Sequence, residues 1–572
     1  LTLQEIIERV SQTEAERSDY VLLAKQWESM YRLEAFDETR SEALKDGREQ
    51  VVTPDPFNVV NLARRLFSNF PKIEVPSEEV NAEAEGDSDK RKRFLIGAWQ
   101  RTNREQRTNI INDAVWNGLV RGRWCFEIKW IKDGLPDRLK KKRFPFLIRN
   151  LDPMNVGYKK GPLFTLWAYH KYVEDVISLK SRYKDIKLEH FAKRMEDLKD
   201  GDKIQTEVEV IDFWWTDEAT GDIWNAVIVD GNEFGKEPFK TDYPDIPIIE
   251  SGGDSSPTGE EAHKYLSILH GLNGTWHYKN RLASQMATGL LWYFWPAILL
   301  KSDKGQVPNN IEVGPGITTP LPRGVDVEIK QFNPNVPMSD SMMSMMETMG
   351  QQSTFPGVMY GQAPGQVQAG FGVSLLADAA KGRVNNLRQN LEYSMQLVNE
   401  IMLAMVEHPS FGGSEGVGVW GKDMAADESH HVILKKEDIA GFYENDVSLI
   451  PNVPSDDINS MSMMLRMVEQ GIMSRRTMRE KSASIIFPDN EQKRISVEEA
   501  LNSDEFRPMV TEATLLEYFG EEADSDIGQS IIEALRPPPT PPQPDPSMGM
   551  GGPMGMPPPM PPQEQMAPPP SM

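Results

Sequence analysis

The string closest to chemical machinery in this sequence is Gly365 to Gly370, GQVQAG. A phosphate cradle needs backbone amides plus a lysine, as in G-x-x-x-x-G-K-[ST], and here Phe371 stands where the lysine would be. The segment is not a Walker A loop. No H-E-x-x-H, C-x-x-C or G-x-S-x-G occurs. The eight histidines are scattered apart from the pair His430–His431, which reads as the entry to a strand rather than as metal ligands. One cysteine, Cys125, rules out internal disulfides and cysteine-based metal sites and suits a reducing cytoplasm or an intracellular assembly. Among 86 acidic residues nothing marks one pair for general acid/base work of the glycosidase kind. No catalytic constellation is found, so no enzyme, metal or cofactor is expected, and a hydrolase with unmarked carboxylates is the remote alternative.

The remaining distinctive residues are suited to contact rather than to reaction. TFPGVMYGQAPGQVQAGFGVS is rich in Gly and Gln and lacks any charge. So long a structureless loop inside a compact protein is uncommon and tends to be functional. Gln351 and Gln352 precede it, and Gln362, Gln366 and Gln368 lie within it. Lys381, Arg383 and Arg388 follow on a helix, as channel cations or as salt-bridge partners between subunits; Arg388 is assigned to the second role. Six methionines fall in the twelve residues from Met338 to Met349. Among them Met342, Met345, Met346 and Met349 have helical spacing, which makes an adaptable packing surface. The longest apolar run, Met286 to Leu300, holds Trp292 and Trp295; it is shorter than the ~20 residues that span a bilayer and contains Pro296, so it reads as buried or interfacial.

These segments need a large scaffold. At roughly 100–200 residues per domain, 572 residues predict three to five packed units. Hydrophobic residues at 39% and charged residues at 26% describe an ordinary globular protein. The net charge is −24, and such a body gains no affinity for DNA by neutralising phosphates. The opening LTLQEIIERV has no basic stretch leading into an apolar one, so a signal peptide is not expected. The last 36 residues, Pro537 to Met572, hold 16 prolines and cannot form a core, which predicts a disordered tail. Its only charges are Asp545 and Glu564, so removing those two from −24 leaves −22 on the body.

Along the body the fold class reads as α+β. Helix is expected over Leu3 to Phe36, Val59 to Phe67 and about Lys90 to Val120, with a strand in FPKIEVP. At Gly118 and Gly122 the helical period gives way to the alternation Trp124, Phe126, Ile128, Trp130. The basic run Arg138 to Arg143 reads as a solvated hairpin turn, and Thr206 to Phe234 as an antiparallel meander. A long helix is expected from near Glu260, then a Gly/Pro-rich β insert after Pro296, then the methionine-rich helix. Val373 to Val406 carries the stripe Leu376, Ala380, Val384, Leu387, Leu391, Met395, Val398, Met402, Met405, with Gly382 marking a bend or a close backbone contact. GVGVW and HVILKKEDI return to strand, and Ser455 to about Leu535 reads as a helical bundle.

This order resembles the phage portal protein family. The stretches that carry the resemblance are DAVWNGLVRGRWCFEIKW followed by IRNLDPMNV, the helices around the Pro296 to Pro337 insert, the glycine-bearing loop entering the Val373 helix, and VEQGIMSRRTMREKSASIIFPDNEQKRISVEEAL. The resemblance implies a wing over 1–259, a stem helix over 260–289, a clip over 290–336 and a returning stem helix over 337–353. It implies a channel loop over 354–372, a long kinked helix over 373–408, wing strands over 409–452, crown helices over 453–536 and the tail over 537–572. It further implies a ring, expected as a dodecamer, at one capsid vertex of the virion, assembled in the host cytoplasm. The implied partners are double-stranded DNA in the channel, the terminase, head–tail adaptor or neck proteins, and the major capsid and scaffolding proteins, with no membrane.

On that reading the five glutamines, Lys381 and Arg383 face DNA. Glutamine exchanges hydrogen bonds with phosphates without fixed charge, and an acidic wall keeps a sliding duplex from sticking. Met342, Met345, Met346, Met349, Trp292, Trp295 and Arg388 are then expected at subunit interfaces, where a ring-forming subunit places its apolar surface. Another acidic assembly protein, an adaptor or baseplate component, is the competing class; it shares the composition but has no need of a helix–insert–helix followed by a flexible loop.

Overall fold

The computed structural model describes residues 1–67, 70–77, 82–132, 143–175, 207–231, 233–257, 259–294, 297–302, 325–330, 336–353, 370–412, 415–423, 428–449 and 464–472, with isolated positions between them such as 138, 178, 179 and 355. The chain divides into two compact units, Leu1–Pro488 and Asp489–Met572. Nearly all of the second lies outside the described residues. So do most of the expected crown and the whole of the expected tail; 464–469 is helical.

The first unit is mixed α+β. Helix α1 (Leu3–Tyr31) starts at a capping box in which the Thr2 hydroxyl and the Glu5 carboxylate each accept the other's backbone N–H. Helices α2 (Arg40–Lys45) and α3 (Asp55–Arg65) follow, then strand β1 (Lys72–Glu74). The single helix expected over Lys90 to Val120 is two, α4 (Ala82–Gln106) and α5 (Ile110–Arg121). Arg107 lies between them with φ 59, and the Asn109 side chain caps α5 by accepting the Asn112 N–H. Helix α5 ends where the change of period predicts, at Gly122 with φ 78. A Cβ there would sit 2.9 Å from the Tyr265 carbonyl oxygen, so glycine is required for both conformation and space.

Strands β2 (Arg123–Trp130) and β3 (Phe146–Leu151) pair antiparallel, which puts the basic run 138–143 in their connection; β9 (Ile248–Gly252) completes this sheet in the order β3-β2-β9. A second sheet is a five-stranded meander of β4 (Val156–Lys160), β5 (Thr165–Asp175), β6 (Glu207–Thr216), β7 (Ile223–Val229) and β8 (Glu233–Lys240). The first two of these strands are additions to the expected meander. The start of α1 covers one face of the meander through Ile6 and Val10 against Tyr169, Phe213 and Ile228. Short β10 (Asp254–Ser255) and β11 (Tyr265–Leu266) pair with each other.

The helix expected from Glu260 begins only at Thr275, as α6 (Thr275–Phe294). Before it the chain makes 3-10 turns at Glu261–His263 and His270–Leu272, and Gly274 adopts φ 83, which an ongoing helix does not permit. The helix also runs past Gly289, because an interior glycine costs only about 1 kcal/mol, and stops just before Pro296. Strands β12 (Ala297–Ser302) and β13 (Val325–Lys330) pair as an antiparallel hairpin, followed by α7 (Val336–Ser353) and α8 (Gly370–Glu407). Strand β14 (Val417–Asp423) pairs β15 (Glu428–Leu434), and β16 (Asp446–Ser448) returns to pair β1.

The main core joins α1, α3, α4, α5, β2, β3 and the second half of α8. Tyr20, Trp27, Phe94, Trp99, Trp124 and Phe126 are completely buried in it. Trp99 donates its indole N–H to Asn399 at 2.9 Å, tying α4 to α8. Helix α8 is about 57 Å long at 1.5 Å per residue. Of its expected stripe, Val384, Leu387, Leu391, Met395, Val398, Met402 and Met405 are buried, while the side chains of Leu376 and Ala380 lie outside the described ones. The close backbone contact expected at Gly382 is not found: a Cβ there meets nothing within 4 Å among the described residues.

Candidate assembly surface

Between 275 and 353 the chain leaves the body through α6, turns through the β12–β13 hairpin and comes back through α7, which packs on α6. The two helices run antiparallel, since Gly350 near the end of α7 lies beside Leu272, just before α6 begins. The hairpin register is regular, Ala297 opposite Lys330 through Ser302 opposite Val325, and Lys301 pairs diagonally with Glu328. The outer part of this arm is apolar around the helix rather than on one face. Leu290 and Tyr293 lie three residues apart and Leu291 a third of a turn away, yet they are 41%, 40% and 37% exposed. Leu299 of the hairpin is exposed as well, and on α7 Met345, midway along the helix, and Met349, near the root, are exposed too. A helix that is apolar all round is normally covered, which makes this tip the candidate assembly surface.

The inner part of the arm is anchored by polar groups. Asn280, Ser284 and Thr288 of α6 accept the backbone N–H groups of Thr53, Val51 and Glu49, each at 2.9 Å. The Trp276 indole donates to the Thr53 carbonyl at 2.9 Å, and Lys279 pairs with Asp55 at 2.9 Å. Beside this contact lies a cavity of about 660 Å³ lined by Phe36, Ala43, Arg48, Arg281 and Gln285 among others. Its two carboxylates, Glu38 and Glu49, pair with Arg48 at 2.8 Å and Arg40 at 3.5 Å, and its hydroxyls at Ser284 and Thr288 accept the Val51 and Glu49 amides. Among the described residues neither hydroxyl is hydrogen-bonded to a basic side chain.

Two ionic clusters are buried in the body. In the first, Arg17 of α1 and Arg123 of β2 meet Glu250 of β9 at 2.7 and 3.2 Å, with Arg123 also paired to Glu261 and stacked over the Tyr20 ring. Burial alone would raise the Glu250 carboxyl; the two guanidinium groups outweigh it and hold the group down at about 2. In the second, Glu127 lies between Lys129 and Arg149, and Lys129 also reaches Asp212. Burial would raise Glu127 too, and the two cations hold it at about 2. The Asn225 amide donates to Asp212 at 2.7 Å.

His170 of β5 sits against this second cluster, opposite Asp212 and stacked on Tyr172. Its Nδ1 has no hydrogen-bond partner among the described residues. Burial pushes its pKa down to about 4, opposed by Glu127 and Asp212 and reinforced by Arg149 and Lys129. The unfolded chain protonates this histidine near its ordinary 6.5, whereas the folded chain holds off to about 4. The stabilising contribution is therefore complete above 6.5 and is lost as pH falls from 6.5 to 4, an effect on the order of 3 kcal/mol. Urea midpoints taken between pH 7 and 4.5 should fall in the natural protein and stay nearly level in His170→Gln.

No protein-family model matches this chain, and no curated protein matches it. Among solved structures it is similar to a chain of the neck of an empty gene transfer agent (GTA) particle computed with C6 symmetry. There the identity is 11% and the TM-score 0.38, with 75% of this chain and 89% of that chain covered. It is also similar to a chain of the virion of a native GTA particle, at 12% identity and TM-score 0.36, with the same two coverages.

The sequence-predicted site residues fall into three sets. Gln362, Gln366, Gln368 and Trp295 lie outside the described residues. Gln351 and Gln352 are in the last turn of α7, Trp292 in α6 and Lys381 in α8, with side chains outside those described. The others have defined places. Met342 and Met346 are half-buried along α7, and Met345 and Met349 point outward. Arg383 is exposed at a small pocket that it shares with Gly253 and His270. Arg388 engages its own helix: it pairs with Glu392 at 2.9 Å and donates to Asn385, while Glu392 also accepts the Leu449 N–H. His430 and His431 sit in β15, one at the Arg93 carbonyl and the other against Trp420 across the strand pair. Sequence reasoning missed the Asn280, Ser284, Thr288 ladder, although hydrogen-bonding residues at a spacing of four along one helix face are a readable signal.

Proposed function

We propose that this chain is a portal-type subunit, one copy of a ring that serves as the conduit for double-stranded DNA at a virion vertex and as a docking platform for the packaging motor and neck proteins. The observation that carries the reading is the arm: a helix, a hairpin and a returning helix, apolar at the tip, followed by a 38-residue helix rooted in the core. Copies set side by side around an axis cover those tips with one another. The charge supports the same reading, because a strongly acidic wall does not hold a duplex by its phosphates and lets it pass.

In this reading the arm is stem and clip, 354–372 lines the channel, and the remainder forms wing and crown. The glutamines of 351–368 and the cations Lys381 and Arg383 are the channel contacts. Met342, Met345, Met346, Met349, Trp292 and Trp295 lie between subunits. Arg388 serves as an internal brace of α8 and is not needed between copies. No catalytic role is proposed. Deleting Val358–Gly370 is expected to leave the oligomer intact and to impair DNA packaging or retention in a packaging reaction; packaging at the natural level would refute the channel assignment.

A further inference from the structure

We infer that Glu49–Thr53 is a sliding strap, a latch that lets the arm move lengthwise on the body by one helical turn and re-engage. The basis is a match of two periods. The acceptors Asn280, Ser284 and Thr288 are four residues apart on α6, a spacing of about 6.0 Å. The donors Thr53, Val51 and Glu49 are two residues apart on an extended segment, a spacing of about 6.6 Å. The segments run in opposite directions, and all three pairs close at 2.9 Å.

A slip of two strap residues therefore re-forms two of the three bonds. The Val51 amide moves onto Asn280 and the Glu49 amide onto Ser284, while the Trp276 indole exchanges the Thr53 carbonyl for that of Val51. The opposite slip, with Thr53 onto Ser284 and Val51 onto Thr288, would leave Asn280 facing Asp55, the first residue of α3. Polar contacts of this kind exchange for water at little net cost, and the strap buries little apolar surface of its own, with Val52 exposed. What holds the resting register is its far end, where Lys279 pairs with Asp55 and the Thr53 hydroxyl reaches Asn280, together with the root of the arm, where Trp276 and Leu272 are 1% and 4% exposed in the main core. In the slip Lys279 leaves Asp55, the Thr53 hydroxyl leaves Asn280, and Trp276 shifts its place in that core. One-turn ratchets of packed elements are a known form of two-state motion. The inference concerns the arm itself and does not depend on what passes through or docks on the assembly.

The test uses pairs of cysteines in the full chain, whose own Cys125 is buried. Glu49→Cys with Thr288→Cys reports the resting register, and Glu49→Cys with Ser284→Cys the slipped one. Oxidation should close the first pair quickly and the second more slowly, with Asp55→Asn speeding the second roughly fivefold. A control pair, Glu49→Cys with Met286→Cys, on the side of α6 turned about 160° from Thr288, should stay open. If the slipped pair does not close, if Asp55→Asn leaves its rate unchanged, or if the control closes as fast, the sliding latch is wrong. Hydrogen exchange on the unsubstituted chain gives a second reading: the amides of Glu49, Val51 and Thr53 should open together and sooner than those of β2. Protection equal to β2 overturns the inference.

Discussion

Glu250→Gln is expected to destabilise the first unit by about 3–5 kcal/mol. The side chain is 1% exposed and is the shared counter-ion of Arg17 and Arg123, which are themselves buried. Glutamine keeps the volume and removes the charge, leaving two guanidinium groups in the core with only the partly exposed Glu261 to balance them. Against a total stability of about 5–15 kcal/mol for a domain, that loss is large. The three residues belong to α1, β2 and β9, so the cluster fixes how the first helix lies across the three-stranded sheet. Denaturant midpoints measure the effect, and a loss below about 1 kcal/mol would show that the cluster is solvated in a way its burial does not suggest. Replacing all three groups by apolar residues of similar size should recover much of the loss, because a buried ion network returns little more than its desolvation cost.

The second large effect concerns assembly. Leu290→Asp together with Met345→Asp places two carboxylates on the arm, one toward its tip and one midway along α7, on side chains that are 41% and 54% exposed. Changes at such positions shift the stability of a single chain by about 0.5 kcal/mol or less. In a ring each copy repeats them at every contact, and buried anchor positions are worth about 2 kcal/mol or more apiece. Monomers with an unchanged denaturation curve are the expected outcome in light scattering after size exclusion. An undiminished oligomer would move the subunit interface off the arm.

How far the sequence reports this fold depends on the kind of signal. The passage from α5 into β2 was legible because two periods meet at glycines, and Gly122 proves to need a left-handed backbone. The stripe of α8 was legible because its second half is buried on a wide face. Other places failed for physical reasons. Near Glu260 the apolar residues of 3-10 turns mimic a helical period, and the decisive mark was the glycine pair Gly271 and Gly274. Strands β4 and β5 were overlooked because β5 carries Lys171 and His170 among its aromatics, and their place is set by long-range apolar packing, Tyr169 with Ile6 and Val10 of α1 and Val156 and Ala168 with Trp214. Arg388 is expected at a contact between subunits; within the chain it pairs with Glu392 one turn on, which its spacing along the helix allows. Of the candidate site, the methionine spacing and the apolar run were visible, whereas the polar ladder that fastens the arm appears only once the strap residues are brought against it.

The central claim is that copies of this chain close around an axis through their arms and leave a passage. Electron microscopy of the purified full-length protein tests it most directly. The account predicts a ring with a central hole wide enough for a DNA duplex and the arms ranged about it; a monomer, or an oligomer with a solid centre, would contradict it.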